Sequence, residues 1–273
     1  MVSPETPALL CADQADNRIR LVDPLTPGNN KAILWCYPPE DEKGLTYRPT
    51  DAKRVEMDGQ VFVLAACHGR VQLVRFSDQM VVKDFSTPSS CHSAELLPDG
   101  SIVSVNSNHG ILRLHRSSED FTDIALPYAH GVTWDKGRKC LWVLGDLLYR
   151  FDYTGGKLAL NRSFELPLSP TGHDLFPLQD GAKLLVSNND ALFLFDIATE
   201  KFETISEMKQ IKSASQNADG SIWVSEPTVI EGAKEWQSDS FIPVLPQVPA
   251  IRYTMGGARF YKARWWQRVE FSY

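Results

Sequence analysis

"HSAELLPDGSIVSVNSNHGILRLHRSSEDFTDIALP", residues 92–127, decides the fold. Short runs of alternating Leu, Ile and Val are broken by Asp-Gly at 99–100, Asn-His-Gly at 108–110 and a polar Ser-Ser-Glu-Asp at 117–120. Such runs, bounded by turn residues, read as four strands in a meander. Asp-Gly favours tight hairpins because glycine accepts positive φ at low cost. The pattern recurs on both sides. "DAKRVEMDGQVFVLAACHGRVQLVRFSDQMVVKDFS" spans 51–86, "HGVTWDKGRKCLWVLGDLLYRFDYTGGKLALNRSFELP" spans 130–167 and "HDLFPLQDGAKLLVSNNDALFLFDIATEKFETISE" spans 173–207. "KSASQNADGSIWVSEP", from Lys212, opens a fifth copy that then diverges.

Four-strand units repeating at about forty residues are the signature of a β-propeller. "ALLCADQADNRIRLVDPLTPGNNKAILWCYP", residues 8–38, supplies three strands of a further blade and lacks its first. "ARFYKARWW", residues 258–266, belongs to no other copy and is the natural inner strand for it, closing the ring and removing open edges. The expectation is an all-β, six-bladed propeller occupying residues 1–273 as one domain.

Of the 273 residues, 43% are hydrophobic and 23% charged, the balance of a soluble globular protein. A net charge of -6 argues against nucleic acid as a partner. No apolar run is long enough for a membrane span, and the first ten residues lack the pattern of a signal peptide. A native Met1 then implies a cytoplasmic protein, and a removed leader an extracytoplasmic one. The five cysteines show no CxxC spacing and read as buried thiols. A monomer is expected.

Counting back seven residues from each Asp-Gly aspartate lands on Asp51, His92, His173 and Lys212, with His130 the counterpart in the longer copy. Arg259 is the nearest match in the closing strand. First strands of blades surround the central channel, so these positions should ring one mouth. The turns between second and third strands fall on the same face and carry Asp13, Gln14, His68, Arg70, Asn108, His109 and Asn189. The longest, "SEPTVIEGAKEWQSDS", adds Glu235 and Trp236. The opposite face carries plain hairpins. His115 lies inside a third strand and reads as structural.

Three readings of His92, His130 and His173 compete. They could hydrogen-bond neighbouring blades, since buried polar groups are usually satisfied. They could bind a divalent transition metal (Zn²⁺, Mn²⁺ or Fe²⁺), with Asp51 as a further ligand or orienting acceptor. Or they could act without metal as general bases, with His68 and His109 as further acid candidates and Lys212 and Arg259 as clamps for an anionic substrate. Arg70, Asn108, Asn189 and Trp236 would then contact substrate.

The repeats, with "HSAELLPDG", "AHGVTWDK", "GHDLFP" and the closing "RFYKARWW", resemble an uncharacterised family of bacterial six-bladed propellers. More distantly, the layout is similar to propeller polysaccharide lyases and sugar-lactone hydrolases. The oligogalacturonate lyases among them place a histidine-rich metal site at the channel mouth. What this implies is a carbohydrate-active enzyme, a lyase-type acid/base catalyst acting on an acidic sugar or oligosaccharide. The alternatives are a propeller that only binds a glycan or protein, or a lactone hydrolase.

Overall fold

A computed structural model describes residues 7–227, 230–246 and 251–273. It is a six-bladed propeller, each blade a sheet of four antiparallel strands. The closing strand is Phe260–Trp265, paired with Leu9–Asp13 and followed outward by Arg18–Asp23 and Ala32–Tyr37. The ring is therefore closed by the strand the repeat pattern left unassigned. The other inner strands are Pro49–Met57, Cys91–Leu96, Gly131–Asp135, Gly172–Pro177 and Ala214–Gln216. Blades are numbered here from the closing strand, so these five open blades two to six. Among the described residues no helix is long and apolar enough to cross a membrane.

The core sits between blades, because each sheet buries both faces against its neighbours. Leu10 and Ile19 of blade one pack on Val63, Ala65 and Phe76 of blade two. Trp142 and Leu144 of blade four meet Leu175, Val186 and Phe195 of blade five. The sixth blade closes on the first through Trp223, Phe241, Phe260 and Trp265. All five cysteines are free and buried. His115 is buried in blade three, stacked on Phe85 with ring centroids 5.2 Å apart and bonded to the Ser104 hydroxyl.

Two features make the channel a blind cup. Charged side chains of the inner strands fill its middle. Arg264 bridges Asp51 (3.0 and 3.1 Å) and Asp174 (2.8 and 3.1 Å), Lys262 reaches Asp174 at 2.9 Å, and Lys53 reaches Glu95 at 3.1 Å. Below them, residues 266–273 cross the plain face: Trp266 N–H donates to Ala8, the Ser272 hydroxyl to Trp134 and the Tyr273 hydroxyl to Glu95. Burial opposes charge on Asp51 and Asp174, but Arg264 and Lys262 outweigh it and hold both carboxyls below their usual range.

Candidate functional site

The ladder between first and second strands skips a residue near the mouth. Register shifts fall between Pro49 and Asp51, Cys91 and Ser93, and Gly172 and Asp174. These are β-bulges, which leave one residue unpaired and re-aim its side chain. The bulged residues are Thr50, His92 and His173. In the closing strand the shift falls opposite Ala12, between Phe260 and Ala263, and puts Tyr261 at the corresponding place. His130 and Lys212 stand just before Gly131 and Ser213. These six residues, one per blade, all line a cavity of about 420 Å³ at the mouth, within the size range of small-molecule sites.

The structure corrects two of the expected positions. Asp51 does not reach the mouth; Thr50 does, while Asp51 is buried one step deeper on Arg264 and Ser93. The Asp-Gly of blade two forms a two-residue turn between Met57 and Gln60. In blade three Leu97 and Ser101 pair first, so its Asp-Gly sits one residue further into the loop. Beyond the bulge the first strand of blade two pairs from Asp51 to Met57, two residues more than Ser93 to Leu97 in blade three. That outweighs the shorter turn, so counting from Asp-Gly slips by one in blade two. Tyr261, not Arg259, is the blade-one counterpart. Arg259 lies outside the cavity lining, its guanidinium near Gly232 and its N–H donated to Asp13.

Among the loop residues, His68, Asn108 and Trp236 line the cavity. Arg70 does not. Its guanidinium is held bidentately by Asp84 at 2.5 Å and lies over the Tyr47 ring. His109 is turned outward, Nδ1 bonded to the Ser89 carbonyl. Asn189 stands behind His173, its Oδ1 2.5 Å from Nε2. The sequence reading did not assign Arg48, Thr50, Ser90, Tyr128 or Tyr261 to the lining. Of these, Tyr261 had only a weak signal in the sequence, as an aromatic residue of the otherwise unclaimed stretch 258–266. Trp236 and Glu235 come from the long insertion of blade six. That loop is pinned to blade one by paired backbone bonds between Ser238 and Phe260 and by Gln237 donating to Gln14 at 2.8 Å.

The histidines are preset. Ser90 (φ 66°) and Tyr128 (φ 58°) adopt left-handed backbone conformations. Their carbonyls accept from Nδ1 of His92 (2.6 Å) and of His130 (2.7 Å). Each is the second residue before its histidine, so one backbone device fixes both rings with Nδ1 protonated and the Nε2 lone pair free. Left-handed non-glycine residues cost energy and cluster at functional sites. The ring centroids of His92 and His130 are 4.4 Å apart, and those of His130 and His173 are 5.5 Å apart. Gly131 permits this crowding, because a Cβ there would stand 2.7 Å from Leu175 Cβ.

Burial pushes all three imidazoles down, His92 and His173 to about 3 and His130 well below its ordinary value. His173 is lowered further by Lys212, whose Nζ lies 2.9 Å from Nε2. Burial lowers His68 too, with Arg48 adding to it. Lys212 is itself brought down to about 8 by burial, with Glu235 opposing. The mouth therefore holds neutral rings beside cations. As arranged, the three histidines are a poor cation site: His173 Nε2 is taken by an ammonium and an amide, and Lys262 lies beneath. Among the described residues no three His, Cys, Asp or Glu side chains gather as a metal set.

The fold and this cup define a six-bladed propeller with a polar, one-ended pocket. Residues 36–273 match a family described as being of unknown function, DUF6528, and the chain belongs to it. No curated protein matches. Solved structures with the same fold include a protein of unknown function from Bacteroides caccae, 13% identical, covering 95% of this chain and 98% of that one with a TM-score of 0.66. Hydrazine synthase of Kuenenia stuttgartiensis is 12% identical over 89% of this chain and 75% of its own, with a TM-score of 0.63. Virginiamycin B lyase from Staphylococcus aureus is 13% identical over 71% and 66%, with a TM-score of 0.52. At such identities the likeness concerns the fold.

Proposed function

We propose that the pocket performs metal-free acid/base chemistry on a small carboxylate-bearing sugar or oligosaccharide end, a lyase-type elimination. The observation that carries this reading is the pair of Nδ1-anchored imidazoles of His92 and His130, with ring centroids 4.4 Å apart and Nε2 lone pairs unengaged, in a cup that also holds Arg48 and Lys212. Elimination next to a carboxylate needs a neutral base for the α-proton and cations for the charge that grows on the carboxylate. Arg48 has no carboxylate partner among the described residues and takes the clamping role first expected of Arg259. The Tyr261 hydroxyl, kept protonated by burial and by nearby Asp174, can donate to the leaving oxygen. Trp236 and Tyr128 offer rings against which a sugar face can pack.

Burial without a counter-charge makes His92 and His130 weak bases. A bound carboxylate supplies the opposite charge that raises an imidazole's pKa, so base strength arrives with the substrate. A scaffold likeness to a lyase is compatible with this chemistry and does not carry it. The test is incubation with uronate oligosaccharides, following ultraviolet absorbance of the unsaturated product. His130→Asn should lower turnover by about 10²-fold or more while leaving thermal unfolding in place. Tight uronate binding with no turnover by the wild type would instead establish a binding propeller and reject the elimination.

A further inference from the structure

Three lysines point into the channel, and they are not equivalent. Lys53 and Lys262 are fully buried and each carries a carboxylate partner, Glu95 and Asp174. Lys212 lines the cup, and among the described residues it has no ion pair. Its Nζ is held instead by two neutral groups, His173 Nε2 and Gln210 Oε1, each at 2.9 Å. An ammonium kept for charge alone would be expected beside a carboxylate. Here its neighbour is a proton acceptor.

The far side of that acceptor is also built. Asn189 Oδ1 lies 2.5 Å from the same Nε2 and is itself held by Gln210 Nε2 at 3.2 Å. In the tautomer with its proton on Nδ1, His173 accepts from Lys212 through Nε2. Once protonated, its Nε2–H can donate to Asn189. The three residues thus form a relay able to take a proton from the amine and return it. A lysine freed of its proton in a partly desolvated pocket is an imine-forming nucleophile, and burial already brings this amine near neutrality.

We propose that Lys212 is a covalent catalytic residue that forms an iminium with a carbonyl compound bearing a carboxylate, such as the open-chain form of a uronic acid. This uses the pocket of the reading above but a different step, and it stands or falls separately. The Lys212 ammonium passes one proton to His173. The freed lone pair attacks the carbonyl carbon, forming the C–N bond as the carbonyl π pair moves to oxygen. One proton moves from nitrogen to that oxygen. Protonated His173 then gives its proton to the hydroxyl, the C–O bond breaks, water leaves and the remaining nitrogen pair forms C=N. Ammonium and carbonyl have become iminium and water, and His173 is neutral again. Arg48 offers a cation for the substrate carboxylate at the same mouth.

The test is reductive trapping of the intact protein with glucuronate, and separately with glyoxylate, using cyanoborohydride as the hydride source, followed by peptide mass mapping. The expected result is one adduct at Lys212, at least tenfold more abundant than at exposed Lys201. It should rise with pH through about 8 and fall at least tenfold in His173→Asn. Lys212→Met, checked for an unchanged unfolding midpoint, should lose the adduct; if that variant does not fold, Lys212→Arg serves. Labelling of Lys212 no greater than that of Lys201, or undiminished in His173→Asn, overturns the proposal. Elimination is assayed without reductant, so absent uronate turnover with selective trapping rejects only the lyase reading. The reverse pattern rejects only the iminium.

Discussion

Acid should destabilise this propeller well before its carboxylates titrate. His92, His130 and His173 are held neutral in the folded chain, with His92 and His173 at about 3, whereas unfolded histidine titrates near ~6.5. Between these values the unfolded state binds more protons, so stability is full above ~6.5 and falls as pH drops. At pH 5 each such ring costs about 2 kcal/mol relative to pH 7.5, from ~1.36 kcal/mol per unit of differential titration. The figure hardly changes if the folded pKa is a unit higher, because pH 5 still lies above it. His92 and His173 together give about 4 kcal/mol, a large part of the ~5–15 kcal/mol stability of a typical domain, and His130, lowered by burial, adds in the same direction. Asp51 and Asp174, whose folded pKa values are depressed, add nothing until the pH nears the unfolded carboxylate value of ~3.9. His115, near 4, adds a term of the same sign, and Glu95, raised by burial, one of the opposite sign. The assay is urea unfolding at pH 7.5 and 5.0, read by tryptophan fluorescence. The comparison protein carries His92→Asn, His130→Asn and His173→Asn. Wild type should lose at least about 4 kcal/mol more than this variant between the two pH values. Equal losses would show that the mouth histidines are not held neutral by the fold.

Three further outcomes follow from the geometry. Arg264→Met should cost about 3–5 kcal/mol in urea unfolding, because it strands two buried carboxylates; adding Asp51→Asn and Asp174→Asn should recover most of it, and a loss below about 1 kcal/mol would mean the plug is solvated. Ser90→Gly should be stable within about 1 kcal/mol and leave the His92 tautomer unchanged by nitrogen NMR, since a carbonyl makes the contact and φ is already left-handed. Ser90→Val should destabilise instead. Trp236→Ala should weaken uronate binding at least tenfold with little change in thermal midpoint, because Gln237 and Ser238 hold the loop; unchanged binding would remove Trp236 from the site.

The repeat was legible because each blade must solve the same packing problem with local sequence. Alternation, Asp-Gly turns and the unclaimed strand at 258–266 were enough to count six blades and close the ring. The mouth was legible only as far as register. His92, His173 and Lys212 were found because their hairpins share a turn in which the Asp-Gly glycine donates back three residues, and His130 by alignment of the longer copy. Asp51 was misplaced because its inner strand pairs over two more residues before the turn than that of blade three. Thr50 and Tyr261 were missed because neither carries a charge to draw notice. Arg48 and Tyr128 precede inner strands, where no periodicity marks a side chain's direction. The plug was hidden for another reason: Arg264 meets Asp51 and Asp174 across 213 and 90 residues of chain, and nothing local encodes such a partner.

The same ring also bears on whether the mouth residues merely serve the architecture. Two positions beyond each of them, the inner strands carry Ala52, Ala94, Val132, Leu175, Ala214 and Ala263, all buried and all apolar. That is what a requirement imposed equally on every blade produces. The mouth position instead reads Thr50, His92, His130, His173, Lys212 and Tyr261, six places with four chemistries. Architecture repeated sixfold would not need a lysine in one blade and a tyrosine in the next, nor left-handed backbone behind two of the histidines. A ligand with distinct ends would, since each group around it meets a different part. The asymmetry of the ring is therefore what the proposed substrate, with a carboxylate at one end, would require.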